Sequence, residues 1–225
     1  LLVVDKPSGV AVHGGSGVSF GVIEQLRRQR PDARMLELAH RLDRETSGLL
    51  IVAKKRSALT RLHDAFRGGE INKRYLALVK GCWHNPVQNV RLPLLKYLTA
   101  GGERRVSVST EGKEAHSIVR LLVCWQNFSL VEVELKTGRT HQIRVHLSHL
   151  GFPLAGDDKY GDFSWNKTLQ KAGLRRMFLH AAKLVFQHPL DEDRKIALEA
   201  SLPQELRSFI DQIECHEERA YGEAF

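Results

Sequence analysis

The stretch His40–Ala53, HRLDRETSGLLIVA, constrains the fold of this chain more than any other. Leu49-Leu50-Ile51-Val52 is an unbroken apolar run with two β-branched members, the composition of a strand covered on both faces. Thr46-Ser47-Gly48 reads as a turn that delivers the chain into that strand. Ahead of it a loop presents a carboxylate, Asp43, between Arg41 and Arg44. Neighbouring cations favour the ionised carboxylate, and a pinned, anionic Asp is what nucleophilic catalysis requires. The same cluster would equally serve as a turn cap or a structural ion pair. On these residues alone both readings stand.

The 225 residues suit one large domain, or two closely merged ones, with room for a substantial core. Lys and Arg number 34 against 26 Asp and Glu, a balance of +8 that points to a polyanionic partner, nucleic acid before membrane. Cys82, Cys124 and Cys215 are widely spaced and odd in number, with no CxxC pair. The sequence therefore predicts neither a disulfide framework nor a zinc knuckle, and a reducing cytosol is the expected setting. No apolar run reaches the roughly 18 residues of a spanning helix. The chain opens on Leu1-Leu2-Val3-Val4 with no Met and no signal peptide, so a further segment is expected upstream.

Patterning along the chain predicts α+β architecture with a large, mostly antiparallel sheet. Leu1–Asp5 reads as a short buried strand, and Val22–Arg28 as a helix. Ser57–Arg67 reads as an amphipathic helix with Leu59, Leu62 and Phe66 on one face, ended by Gly68-Gly69. Ile71–Lys80 is strand-like, with Ile71, Lys73, Tyr75, Ala77 and Val79 on one face. Further strands are predicted at 104–109, 115–123 and 128–135, the last with clean alternation, and at 178–186 and 196–198. Thr140 is a candidate cap for a helix over His141–Leu150, and Pro203 opens a closing helix to Ile213. The glycine-rich His13-Gly14-Gly15-Ser16-Gly17 matches neither a Walker A sequence nor GxGxxG, so it defines no nucleotide site.

The second dense segment is Lys136–Gly161, KTGRTHQIRVHLSHLGFPLAGDDKYG. On its helix Ile143, Leu147 and Leu150 share an apolar face, while His141, Arg144 and Ser148 share another. Arg144 then offers a fork suited to a carboxylate or phosphate, or simply lies on a solvated face. His141, His146 and His149 have no metal-site spacing and no completing thiol or carboxylate, so no metal is predicted. Tyr75, among Lys73, Arg74 and Lys80, is either a stacking platform for a nucleobase or an ordinary strand tyrosine.

Three segments in this order, HRLDRETSGLL, KRYLALVKG and GRTHQIRVHLSHLGFPLAGDDKYG, resemble the RluA-type pseudouridine synthases, particularly the branch acting on large-subunit ribosomal RNA. VVDKPSGVAVHGG and Phe178-Leu179-His180-Ala181 resemble two more motifs of that family, so the likeness spans the chain. It implies the pseudouridine synthase fold, a large mixed sheet flanked by helices and loops with an active cleft across its middle. It implies that residues 1–225 form the catalytic domain, with an S4-like RNA-binding domain upstream. It further implies Asp43 as the catalytic aspartate, Tyr75 as the aromatic partner of the target base, and Arg144 as a buried arginine paired to Asp43. Arg41, Arg44, Lys73, Arg74 and His141 become candidate RNA contacts, as does the Lys54-Lys55-Arg56 run, which is otherwise a solvated surface. Neither metal nor organic cofactor is implied. The expected partner is 23S ribosomal RNA, the expected setting the cytoplasm, and the expected state a monomer.

The implied reaction breaks the bond between N1 of uracil and C1′ of the ribose, turns the base, and joins C5 to C1′. Attack of a carboxylate at C1′, attack at C6, and proton abstraction at C2′ all stay open. A transfer RNA substrate and a catalytically silent RNA-binding protein are the alternatives. A glycosidase would need two flanking carboxylates, and Asp157-Asp158, the one tempting second site, reads as a turn.

Overall fold

The computed structural model describes residues 1–15 and 20–222, so Ser16 and Gly17 of the glycine-rich stretch lie outside the described residues. In chain order the elements are β1 (Leu2–Lys6), α1 (Val22–Gln29), β2 (Glu37–Leu38), β3 (Ser47–Ala53), α2 (Arg56–Gly68), β4 (Asn72–Lys80), β5 (Val87–Arg91), β6 (Leu94–Leu98), β7 (Arg104–Val108), β8 (His116–Trp125), β9 (Phe128–Leu135), α3 (Gln142–His149), α4 (Phe163–Lys171), β10 (Leu179–Gln187), β11 (Lys195–Glu199), α5 (Gln204–His216) and β12 (Arg219–Gly222). The class is α+β with mixed, mostly antiparallel pairing, as the patterning predicts. The chain divides into two compact units, Leu1–Lys73 with His180–Ser201, and Arg74–Leu179 with Leu202–Phe225.

In the first unit β3 is the axis. It pairs antiparallel with β1, from Leu2↔Val52 to Lys6↔Gly48, and with β2 through Glu37↔Ala53. It pairs parallel with β10 at His180↔Ser47 and Ala181↔Gly48. All seven residues of β3 are buried. Leu50, Ile51 and Val52 are wholly inaccessible, and burying each such side chain contributes about 1.5–3 kcal/mol. Leu59 and Leu62 of α2 pack with Ile51, Ala53, Leu184 and Phe186. On α1, Ile23 packs with Leu36 and Val52.

Two expectations are corrected here. Ser47 and Gly48 belong to β3, so the turn falls at Asp43–Thr46, closed by the Thr46 N–H donating to the Asp43 carbonyl at 3.1 Å. β1 is not a buried strand: Val3 and Asp5 reach the surface and only Lys6 is enclosed, because packing by Ile23 and Leu36 covers the face of Leu2 while the opposite face stays open.

In the second unit β4 pairs with β9, β9 with β8, and β8 with β5 and β12, all antiparallel. β6 and β7 form a separate hairpin. Leu206, Phe209, Ile210 and Ile213 of α5 pack on Leu78, Val123, Trp125, Phe128 and Leu130. Patterning missed β5, β6, β12 and α4. β9 does not alternate between core and solvent, because its charges are neutralised in place. Glu132 pairs with Arg74 at 3.0 Å, and buried Glu134 with Arg120 at 2.8 Å and with Lys136.

The prediction of no disulfide is overturned as well. Cys82 Sγ and Cys124 Sγ are bonded at 2.09 Å, with Cα atoms 5.6 Å apart. Spacing along the chain hides this pair, because the β4–β9–β8 ladder is what brings residues 42 positions apart together.

Candidate active site

The loop carrying Asp43 is tied down by the segment that follows β1. The Lys6 ammonium is fully buried and donates to the carbonyl oxygens of Pro7 (2.9 Å), Val10 (2.8 Å) and Arg44 (3.0 Å). Gly9 N–H donates to Arg44 O and Arg44 Nε to Gly9 O, each at 2.9 Å. Ser8 Oγ donates to the Glu45 carbonyl at 2.7 Å. A loop so held presents Asp43 half-exposed, with Arg41 and Arg44 turned outward. Loop positions on a rigid strand end are where reactive side chains are commonly placed.

Behind the loop, two histidines fasten β3. His40 Nε2 accepts from Ile51 N–H at 3.0 Å. Burial, and then the charge of Lys73, push the His40 imidazole down to about 4, so it stays neutral and able to accept; its contact with the Arg41 backbone works the other way. Ser47 Oγ lies 2.9 Å from His180 Nδ1, and His180 Nε2 lies 3.1 Å from the Ala200 carbonyl. A carbonyl only accepts, so Nε2 carries the proton and Nδ1 accepts from the serine. Gly48 has φ +111°, and a Cβ there would collide with the Ala181 carbonyl. The His180-Ala181 motif and Ser47-Gly48 are thus parts of one strand junction.

In the second unit α3 is enclosed on almost every side, with Gln142 through Leu147 all buried. Arg144 shares a face with His141 and Ser148, and that face is covered by the turn at Tyr160, which all three contact, instead of being solvated. It is 3% exposed, and its charge is met by a buried partner. Nε donates to Asp157 Oδ2 at 2.8 Å and Nη2 to Asp157 Oδ1 at 2.6 Å, with Asp158 Oδ1 3.3 Å from Nη2. Asp157 is also the turn residue the sequence predicts, since its Oδ1 accepts the backbone N–H of Lys159 (2.8 Å) and Tyr160 (3.0 Å). Burial works to raise the Asp157 carboxyl, but Arg144 and these two amides outweigh it and hold it below the usual range.

α3 begins at Gln142, and the residue before it is His141, in a left-handed conformation at φ 53°, so Thr140 is not the cap. α3 has no side-chain cap; the Gln142 side chain instead ties the preceding loop to β8, accepting from Arg139 N–H (3.0 Å) and Thr137 Oγ1 (2.8 Å) and donating to His116 O and Ser117 Oγ. Ser117 Oγ continues to His146 Nδ1 at 3.0 Å, and His146 Nε2 meets the Leu92 carbonyl. His146 is thus a satisfied core histidine.

Of the remaining candidates, Tyr75 is 8% exposed and sits opposite Val133 in the β4–β9 ladder. Lys73 is buried, with its ammonium 5.7 Å above the Phe66 ring. Arg74 is half-buried on Glu132. His141 Nδ1 lies 2.8 Å from Tyr160 Oη. Asp43, Arg41, Arg44 and Lys73 belong to the first unit, and Arg74, Tyr75, His141 and Arg144 to the second. Sequence reasoning missed Lys6, Asp157, Tyr160 and His180 as parts of this framework. All four stand inside motifs quoted for the resemblance, which was the available signal. Among the described residues no group of three or more His, Cys, Asp or Glu side chains could hold a metal ion, and no helix is long and apolar enough to cross a membrane.

An Asp-bearing loop ahead of a buried strand, and a buried arginine on a short enclosed helix paired to an aspartate of the following turn, accompany a family relationship. The chain belongs to the RNA pseudouridylate synthase family, whose model matches residues 1–149. Among individual proteins, it is 53% identical over 207 residues to ribosomal large subunit pseudouridine synthase C of Yersinia pestis, covering 92% of this chain and 64% of that protein. It is 55% identical over 191 residues to the protein of the same name from Escherichia coli K12, covering 84% of this chain and 60% of that one. The chain thus spans less than two thirds of the length of these relatives. The fold matches human RNA pseudouridylate synthase domain containing 4, with a TM-score of 0.76 at 24% identity over 98% of this chain and 91% of that one. It also matches human RNA pseudouridylate synthase domain containing 1, with a TM-score of 0.72 at 24% identity over 99% and 92%.

Proposed function

We propose that this chain isomerises uridines of large-subunit ribosomal RNA to pseudouridine, with Asp43 as the catalytic carboxylate, nucleophile or base. The observation that carries the reading is the way Lys6, Ser8 and Gly9 anchor the backbone immediately after Asp43, at Arg44 and Glu45, while its side chain stays half-exposed. A carboxylate held in place has already given up the freedom it would otherwise lose on meeting a substrate. The relatives carrying the large-subunit synthase name support the RNA class.

In this reading the N1–C1′ bond breaks as Asp43 attacks C1′, adds to C6 or takes the C2′ proton, and in each route the free carboxylate is restored when the new bond is made. The base turns, C5 joins C1′, the C5 proton leaves and N1 takes one up, so the reaction is balanced without oxidant, metal or cofactor. Tyr75 meets the target base, whose extrusion from folded RNA costs a few kcal/mol that stacking offsets in part. Arg144 takes the part that the family resemblance implies for it, the arginine partner that aims the catalytic carboxylate. Arg41 and Arg44 take phosphates, with Arg74 and His141 as further contacts; Lys73, buried on Phe66, contributes to the site's field instead of touching the backbone. Affinity for RNA then falls steeply with added salt. The protein acts as a monomer in the compartment that holds ribosomes, the cytoplasm.

The test is to incubate unmodified 23S rRNA and, separately, transfer RNA with wild-type and Asp43→Asn protein and map pseudouridine. The expected result is product in 23S rRNA from the wild type alone. Undiminished product from the variant overturns the role of Asp43, and product in transfer RNA alone overturns the substrate. Salt-sensitive binding without product identifies a silent RNA-binding protein.

A further inference from the structure

We infer that Asp157 and Tyr160 are positioning residues that jointly set the Arg144 guanidinium and the His141 ring, an inference that rests on the role proposed above for Arg144. The turn from Asp157 to Tyr160 follows α3 in sequence and folds back over it. Its carboxylate receives the Nε edge of Arg144 as a fork, at 2.8 and 2.6 Å. An arginine gripped along that edge has its planar head fixed, and with it the direction in which the remaining N–H groups point. The same turn brings up Tyr160, whose ring centre lies 5.1 Å from Arg144 Cζ. The guanidinium is therefore held by its edge and covered on a face.

Tyr160 reaches His141 as well. Its hydroxyl accepts from Val106 N–H at 3.0 Å and lies 2.8 Å from His141 Nδ1, and its carbonyl accepts from Ser148 Oγ at 2.7 Å. His141 is the one non-glycine residue with positive φ among the described residues. Such a conformation costs on the order of 1–3 kcal/mol and persists only where surroundings enforce it, most often at functional sites.

The turn itself is built to hold still. Asn166 Nδ2 donates to the Asp157 carbonyl at 2.7 Å, while Asn166 Oδ1 accepts from Gly156 N–H at 2.9 Å. Gly156 has φ +75° in a spot where a Cβ would strike the Arg176 carbonyl.

Packing alone does not call for this arrangement. Ile143, Val145 and Leu147 already bury α3, and an apolar side chain at 144 would avoid desolvating two charges, an exchange that is often neutral or stabilising. What an apolar residue could not supply is a donor head with a set direction.

The experiment measures kcat and KM for pseudouridine formation in wild type, Asp157→Asn, Tyr160→Phe and Tyr160→Leu, with thermal unfolding of each. Asp157→Asn keeps the shape and removes the charge; kcat is expected to fall about 100-fold with KM changed less than about 3-fold, the signature of misplacement rather than lost binding. Tyr160→Phe, which keeps the ring over Arg144 and loses the hydroxyl, is expected to lose about 10-fold in kcat, and Tyr160→Leu more. If Asp157→Asn fails to fold, Tyr160→Phe decides. Variants that unfold earlier yet turn over like wild type make the turn a structural element only and overturn the inference, as does a loss confined to KM. An active wild type with unaltered variants sinks the positioning role alone; a wild type that forms no pseudouridine sinks the proposed reaction with it.

Discussion

Lys6 Nζ lies 3.0 Å from the carbonyl oxygen of Arg44, so a buried ammonium at the end of β1 holds the loop that presents Asp43. The same nitrogen serves Pro7 O and Val10 O, which makes Lys6 the knot between two loops far apart in sequence. Replacing it with methionine keeps the length and removes the donors. Leaving buried carbonyls without a partner costs about 1–3 kcal/mol, and a loop displaced by an ångström can cost about 100-fold in turnover. For Lys6→Met we expect a denaturation midpoint lowered by a corresponding amount together with a kcat loss of that order. A variant as active as wild type would show that the knot does not govern Asp43.

Gly48 carries the second prediction. Its left-handed φ of +111° and the Ala181 carbonyl packed where a Cβ would stand combine two penalties. The conformation alone costs about 1–3 kcal/mol for a non-glycine residue, and β10 would have to shift to relieve the collision. Gly48→Ala is therefore expected to destabilise by at least about 2 kcal/mol in urea titration, with weakened protection of β3 amides in hydrogen exchange. Unchanged stability would mean that the β3–β10 junction tolerates a side chain.

The parts that were legible in the sequence were those fixed by local rules. The β3 run was readable because four apolar residues in a row suit a doubly covered strand, and α2 because its apolar spacing ends at a glycine pair. Helical spacing set Arg144 on the right face, with His141 and Ser148, but could not show that this face meets a turn and not water, since α3 is buried nearly all round. What makes a buried arginine tolerable is Asp157, on a turn the sequence shows but whose partner it does not. Glu134 misled in the same way, its neutralising Arg120 being a neighbour across β8 and β9 rather than along the chain. Tertiary pairing of charge is invisible to periodicity.

The Cys82–Cys124 bond is checked by counting thiols. Alkylation of the unreduced protein, followed by mass measurement, should label Cys215 alone, and reduction before labelling should raise the count to three. Closing a loop of 42 residues is worth roughly 4 kcal/mol in the chain-entropy account, so the reduced protein should unfold at a lower denaturant concentration. Three labelled thiols without reductant would refute the bond in the isolated protein.

His40 ties stability to pH with a definite sign. An unfolded histidine titrates near 6.5, whereas burial and Lys73 push His40 in the fold down to about 4. Between those values the unfolded chain binds a proton that the folded one refuses, so stability rises with pH across the window. The contribution is complete above about 6.5, declines as pH falls toward 4, and levels off below, for a total of roughly 3 kcal/mol at most. Burial lowers His116 and His146 too, so the wild-type curve alone does not isolate His40. His40→Gln does, because its side-chain oxygen can still accept from Ile51 N–H while nothing at position 40 titrates. Unfolding free energies measured from pH 4 to 8 should therefore fall more steeply toward acid in wild type than in His40→Gln. Parallel curves would show that the imidazole takes up its proton as readily inside the fold as outside it.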